Sequence, residues 1–169
     1  GEDPWGGYPL SAFYEGIART RLRAPPGARY EYSNLAYEAL GIAIERAAGA
    51  PYERQLRDAI LDPLGMASTA VTIGSDLRDR VAVGYREDDT EREAVVWDLG
   101  CHAPGGGLLS TAEDLAKFLG MMVRAGEPDA SPVPGATLAA MLERRGPIGD
   151  GKAGIGLGWH LMPAEDGSP

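Results

Sequence analysis

Proline and glycine cut this 169-residue chain into short pieces, and that punctuation bounds what it can fold into. Pro25-Pro26-Gly27, Gly49 followed by Pro51, Asp62-Pro63, Gly105-Gly106-Gly107 and Gly126 stand between stretches of helical periodicity. Proline removes a backbone donor and fixes φ, while glycine supplies the left-handed turn that closes a helix. The chain must therefore be built from short helices with defined ends.

Leu10, Phe13, Tyr14 and Ile17 recur at the helix period and predict a first helix over residues 10–22. A second follows Tyr32-Ser33-Asn34, with Tyr37, Leu40, Ile44 and Ala47 on one face, a capping side chain from Ser33 or Asn34 and Gly49 at its far end. Pro51 suits the first turn of a third, whose Tyr52, Leu56 and Ile60 precede the stop at Asp62-Pro63; the second and third helices are expected to pair antiparallel. Ser110-Thr111-Ala112-Glu113 reads as a capping box before Leu115, Phe118, Leu119 and Met122. Residues 127–134 read as a proline-rich loop, 136–145 as a further helix and 146–154 as a glycine-rich linker. Val81, Val83 and Tyr85 alternate, the acidic turn Asp88-Asp89-Thr90 follows, and Ala94-Val95-Val96-Trp97 returns, which is a hairpin pattern. Residues 155–162 read as the start of a sheet strand. The fold class expected is mainly α with a small β-hairpin, one unit across residues 1–169.

Hydrophobic residues make up 44% and charged residues 24% of the chain, globular values that argue against disorder despite 24 glycines and 13 prolines. A formal net charge of −9 repels phosphate backbones and anionic lipid, so a nucleic-acid partner is not expected. Arg19, Arg21 and Arg23, and the pair Arg144 and Arg145, read as solvated faces. No apolar run approaches the ~20 residues of a membrane span, and the first residues lack the basic flank and apolar centre of a signal peptide. The absence of an initiator methionine fits an internal piece or a processed product. Cys101 is the single cysteine, so no internal disulfide is expected and the compartment stays open.

Tyr32-Ser33-Asn34 is the most informative tripeptide. A helix N-terminus offers unpaired N–H groups and positive potential, which favours a phenolate there and lets a tyrosine work as a proton acceptor. An asparagine two residues on can orient a substrate carbonyl or amide. The structural alternative is a capping serine beside a packed tyrosine. Other clusters carry less: His102, His160 and Cys101 lack the number and spacing of zinc ligands, so no metal is expected. Asp98, Cys101 and His102 are a candidate hydrolytic cluster weakened by adjacent residues pointing apart. Gly105-Gly106-Gly107 lacks the strand and fingerprint of a dinucleotide loop, and no cofactor is expected. Trp159 is a candidate pocket wall or core residue.

The run from Pro25 through Tyr37, with Pro25-Pro26-Gly27 and Tyr32-Ser33-Asn34, resembles the signature of β-lactamase-like serine hydrolases, which include class C β-lactamases, penicillin-binding D,D-peptidases, D-aminopeptidases and esterases. Pro63-Leu64-Gly65-Met66 with Thr69, Pro104-Gly105-Gly106-Gly107-Leu108-Leu109-Ser110-Thr111-Ala112-Glu113-Asp114-Leu115 and Gly156-Leu157-Gly158-Trp159 continue the resemblance in order. It implies the helical subdomain of the β-lactamase/transpeptidase-like fold, with Tyr32 as general acid/base, Asn34 as the substrate-positioning hydrogen-bonder and a small-molecule or peptide substrate in the full-length parent. That set pairs a Ser-x-x-Lys nucleophile motif with Tyr-Ser-Asn and a Lys-Thr-Gly type motif. The only lysines here, Lys117 and Lys152, follow Asp114 and Gly149 at the required distance, so the nucleophile motif is absent, and Lys152-Ala153-Gly154 precedes the strand that the third motif should follow. A phenol with a reference pKa near ~10 needs cations beside it to act as a base. The expectation is a helical piece of a hydrolase, inactive alone, with apolar surface exposed to self-association; the alternative is a stand-alone binding or scaffold domain.

Overall fold

Ser33 opens the longest helix by accepting the Ala36 N–H on its Oγ at 3.2 Å, and Gly49, at φ 68°, closes it with an N–H to the Glu45 carbonyl. This helix, α2 (Asn34–Ala48), is the axis of the computed structural model, which describes residues 3–89, 91–128 and 132–163. Before it comes α1 (Leu10–Arg19), started after Pro9 and burying Phe13. After it, Pro51 leads into α3 (Tyr52–Leu56), which runs on as a π-helical turn over Arg57–Leu61 and stops where Pro63 cannot continue it. A short α4 (Ser75–Arg78) and a 3-10 helix at Gly100–Gly105 carry the chain to α5 (Ala112–Met122) and α6 (Gly135–Leu142).

The sheet is a three-stranded antiparallel meander, β1 (Gly146–Ile148), β2 (Ala153–Ile155) and β3 (His160–Leu161), in which Gly154 faces Pro147 on one side and Leu161 on the other. A mainly helical chain with a small β element is thus the fold, but two of the three strands, β1 and most of β2, stand where the sequence reads as linker. Among the described residues, the segment expected to form the hairpin, 81–97, pairs only through the bridge Tyr85–Glu93 and the bonds Arg86 N–H to Arg92 and Ala94 N–H to Gly84. Its strand residues find no third strand to lie against, and an isolated two-stranded ribbon is marginal. Thr90 of its turn, like residues 129–131 of the proline-rich loop, lies outside the described residues. The last helix ends at Leu142 rather than at 145, because Glu143 turns extended and the Arg145 N–H bonds the Ile155 carbonyl. Likewise 155–162 is broken by Gly158 at φ 80° into the end of β2 and a separate β3.

The core gathers Leu138, Met121 and Met122, with Trp159 stacked on Phe118 at 6.3 Å and packed against it, which places Trp159 in the core. A second anchor is polar. Asp114 is 2% exposed; its Oδ2 accepts the Ser68 N–H and the Thr69 hydroxyl, and its Oδ1 accepts Lys117 Nζ at 2.8 Å. Thr111, the second residue of the expected box, caps α5 by accepting the Asp114 N–H. Burial pushes the Asp114 carboxyl up, but the bonds from Lys117, Thr69 and Ser68 outweigh it and hold the group below the ordinary carboxylate value.

The face that α2 buries differs from its apolar stripe. Glu38, Gly41 and Ile42 are buried, whereas Tyr37, Leu40 and Ile44 are 47%, 53% and 39% exposed. The reason is steric: Gly41 lies so close to Pro104 of the 3-10 turn that a Cβ there would overlap the proline ring. A larger residue would hold the two elements apart.

Candidate active site

Two constraints converge at the start of α2. The Ser33 cap fixes the chain's entry on extended backbone, leaving Tyr30 and Tyr32 in the irregular segment before α2 and Asn34 in the first helical turn. The Gly41–Pro104 contact brings the end of the 3-10 turn alongside, so that a Cβ on Gly105 would sit 3.3 Å from the Asn34 carbonyl oxygen. Between them opens a cleft of about 420 Å³ lined by Tyr32, Asn34, Gly105, Gly106, Tyr30 and His160.

Tyr32 is 74% exposed, and among the described residues neither its hydroxyl nor the Asn34 carboxamide makes a hydrogen bond, so both can take one from a ligand. His160, on β3, closes one side: its Nε2 lies 2.8 Å from the Tyr30 hydroxyl, with the rings edge-on at 87°. Sequence reasoning singled out Tyr32 and Asn34 and missed Tyr30 as a wall, although Tyr30 stands two residues from Tyr32 in the same run. Nothing local could connect His160 to a residue 130 positions away.

Behind the cleft, His102 Nδ1 lies 3.1 Å from Glu38 Oε2, with both side chains nearly buried. Rings of Trp5, Tyr8 and Phe13 surround the imidazole at centroid distances of 4.9, 4.7 and 5.9 Å, and Nε2 is buried without a hydrogen-bond partner among the described residues. The Glu38 chain also fills the space against Gly105, so this pair packs under the cleft floor. Cys101 beside it is a poor nucleophile: burial first, then the charges of Glu38 and Glu45, push its thiol above the usual range, opposite to what an activated thiolate requires. Asp98 accepts the Gly100 N–H and does not orient His102. Among the described residues no three His, Cys, Asp or Glu side chains gather as a metal site, and no helix is long and apolar enough to cross a membrane.

The geometry is that of a helix-terminus site with one phenol and one carboxamide presented to an open cleft. A family model described as Beta-lactamase matches residues 2–168. The D-alanyl-D-alanine-carboxypeptidase/endopeptidase AmpH of Escherichia coli is 30% identical over 161 residues, which is 90% of this chain and 40% of that protein. Among solved structures, the octameric penicillin-binding protein homologue from Pyrococcus abyssi superposes with a TM-score of 0.72 at 30% identity over 95% of this chain and 38% of that one. A class C β-lactamase superposes with a TM-score of 0.75 at 20% identity over 93% and 42%, a likeness of fold. The chain spans less than half the length of each of these relatives.

Proposed function

The chain belongs to the beta-lactamase family, and from that premise we propose that it forms the helical subdomain of an acyl-serine hydrolase and carries half of the active site. In this reading Tyr32 takes the proton of the attacking serine hydroxyl and returns it to the leaving group, and Asn34 hydrogen-bonds the substrate's carbonyl or amide. The substrate is a β-lactam, a D-amino-acid peptide or an ester. The observation that carries the reading is the placement of Tyr32 and Asn34, both uncommitted among the described residues, on one open cleft at the positive end of α2.

A tyrosine works as a base only beside a cation. Neither lysine serves: Lys117 Nζ is held by Asp114 at 2.8 Å and the Gly65 carbonyl at 2.7 Å, and Lys152 lies 3.9 Å from Asp150. The serine and lysine of the reaction therefore come from residues outside this sequence, and these 169 residues alone turn over nothing. The test is a chimera in which this chain replaces the matching segment of a full-length relative, assayed on a chromogenic cephalosporin, a D-alanyl-D-alanine peptide and a nitrophenyl ester. Turnover that Tyr32→Phe abolishes supports the assignment. A folded chimera whose turnover survives that change sinks it, and turnover by the isolated chain sinks the claim that it is inactive alone.

A further inference from the structure

Sharing no lining residue with the Tyr32 cleft, an open groove of about 530 Å³ runs between α4 and the 81–97 arm, within the ~300–1,000 Å³ range of small-molecule sites. Its walls are Ile73, Leu77, Val81, Val95, Val96 and Leu109. Its polar groups gather at one end, where Arg80 stands beside the hydroxyl-bearing Ser68, Ser110 and Thr111. A continuation of about 390 Å³ runs on past Val96 and Trp97, so an elongated guest has room beyond the first chamber.

That polar end is held in place by the buried Asp114 network. Arg80 Nη1 donates to Ser68 Oγ at 2.8 Å; the Ser68 N–H is tied to Asp114 Oδ2, and Ser110 Oγ lies 2.7 Å from Thr69 Oγ1, which donates to the same carboxylate oxygen. A guanidinium has five N–H donors in a planar fork that matches a carboxylate. Among the described residues Arg80 makes only this one side-chain hydrogen bond and has no carboxylate within ion-pair distance, whereas Arg86, Arg57 and Arg54 each have one. The chain's net charge of −9 opposes an anion at long range, but physiological salt screens such fields beyond ~8 Å, leaving the local cation to decide.

We propose that this groove binds an amphiphile with a carboxylate head and an aliphatic body, the head on Arg80 and the body along the Ile73–Val96 walls. The binding is separate from any chemistry at Tyr32 and does not rest on that assignment.

The test is a titration of the isotopically labelled chain with decanoate below its micelle concentration, followed by amide and methyl shifts, with acetate and decan-1-ol as head-only and body-only controls. Saturable shifts at Ile73, Leu77, Val81, Val95 and Leu109 are expected. Arg80→Gln should weaken binding about tenfold, with decan-1-ol binding both proteins alike. Arg80→Lys, which keeps charge but loses the fork, should fall between. The exposed wall substitution Val95→Asp should abolish binding without unfolding the chain. Shifts confined to the exposed Tyr37, Leu40 and Ile44 face of α2, or equal decanoate affinity in Arg80→Gln, would overturn the proposal. So would groove shifts that follow protein concentration without ligand, which would make the occupant a second copy of the chain.

Discussion

Gly41 and Pro104 meet at the contact that sets how far Gly105 stands from Asn34, and only hydrogen at position 41 permits it. Gly41→Ala must push the 3-10 turn off α2. Overpacking of this kind costs about 1–3 kcal/mol, which should appear as a lower urea midpoint with little change in slope. The Asn34 and Gly105 amide resonances should shift with it, since the contact positions the cleft floor.

Asp114 should make stability depend on acid. Its folded-state pKa lies below the ordinary value, with hydrogen bonds from Lys117, Thr69 and Ser68 outweighing the opposing effect of burial. A depressed carboxylate contributes stability that is fully present above the unfolded pKa of ~4 and is lost as pH falls through the lower folded value. Asp114→Asn should therefore lower the melting temperature by about 5–10 °C at pH 7, and the gap to the unsubstituted chain should narrow steadily below pH ~4. A gap unchanged by pH would show that the carboxylate's charge does not matter.

Removing one member of the Glu38–His102 pair should cost more than removing both. With the side chains 12% and 11% exposed, Glu38→Ala removes the carboxylate 3.1 Å from the imidazole and leaves a polar ring buried without it, a loss of about 1–3 kcal/mol. The double change Glu38→Leu with His102→Phe replaces both groups by apolar ones inside the ring of Trp5, Tyr8 and Phe13, and should recover part of it. Denaturant unfolding of the unsubstituted chain, Glu38→Leu, His102→Phe and the double change gives the coupling.

Tyr32→Phe should leave stability within about 0.5 kcal/mol, because the side chain is 74% exposed and its hydroxyl has no partner among the described residues. Calorimetry of the isolated chain checks this and makes the loss of turnover in the chimera readable as chemistry.

The uncovered stripe Tyr37, Leu40 and Ile44 should drive self-association at high concentration. Sedimentation velocity should show an apparent mass that rises with loading, and Leu40→Lys should hold the chain monomeric. A monomer at every concentration would show that this face is too small to pair.

Where an element's cause is local, the residues announced it. Ser33 and Gly49 bracket α2 through bonds to residues three and four positions away, and Pro63 ends the helix that Pro51 begins, so these boundaries were legible before any fold was known. Tyr32 and Asn34 were singled out for the same reason, as residues flanking a cap. The sheet was not legible: the pairing of Ile148 with Ala153 depends on a turn through Gly149 and Gly151 that reads equally well as a flexible linker. The 81–97 arm showed the opposite failure, an alternating pattern that, among the described residues, pairs at one bridge without forming a strand.

Local chemistry encodes the longer helices, the two ends of α2, the Tyr32-Ser33-Asn34 junction and the family resemblance, because each rests on contacts within a few residues, whereas α4 and the 3-10 turn left no such signal. Packing between distant segments settles which face of α2 is buried, that His160 closes the cleft against Tyr30, and that Arg80 ends an apolar groove. Those outcomes depend on steric fit between distant segments, above all Gly41 against Pro104, and no periodicity encodes the shape of a partner.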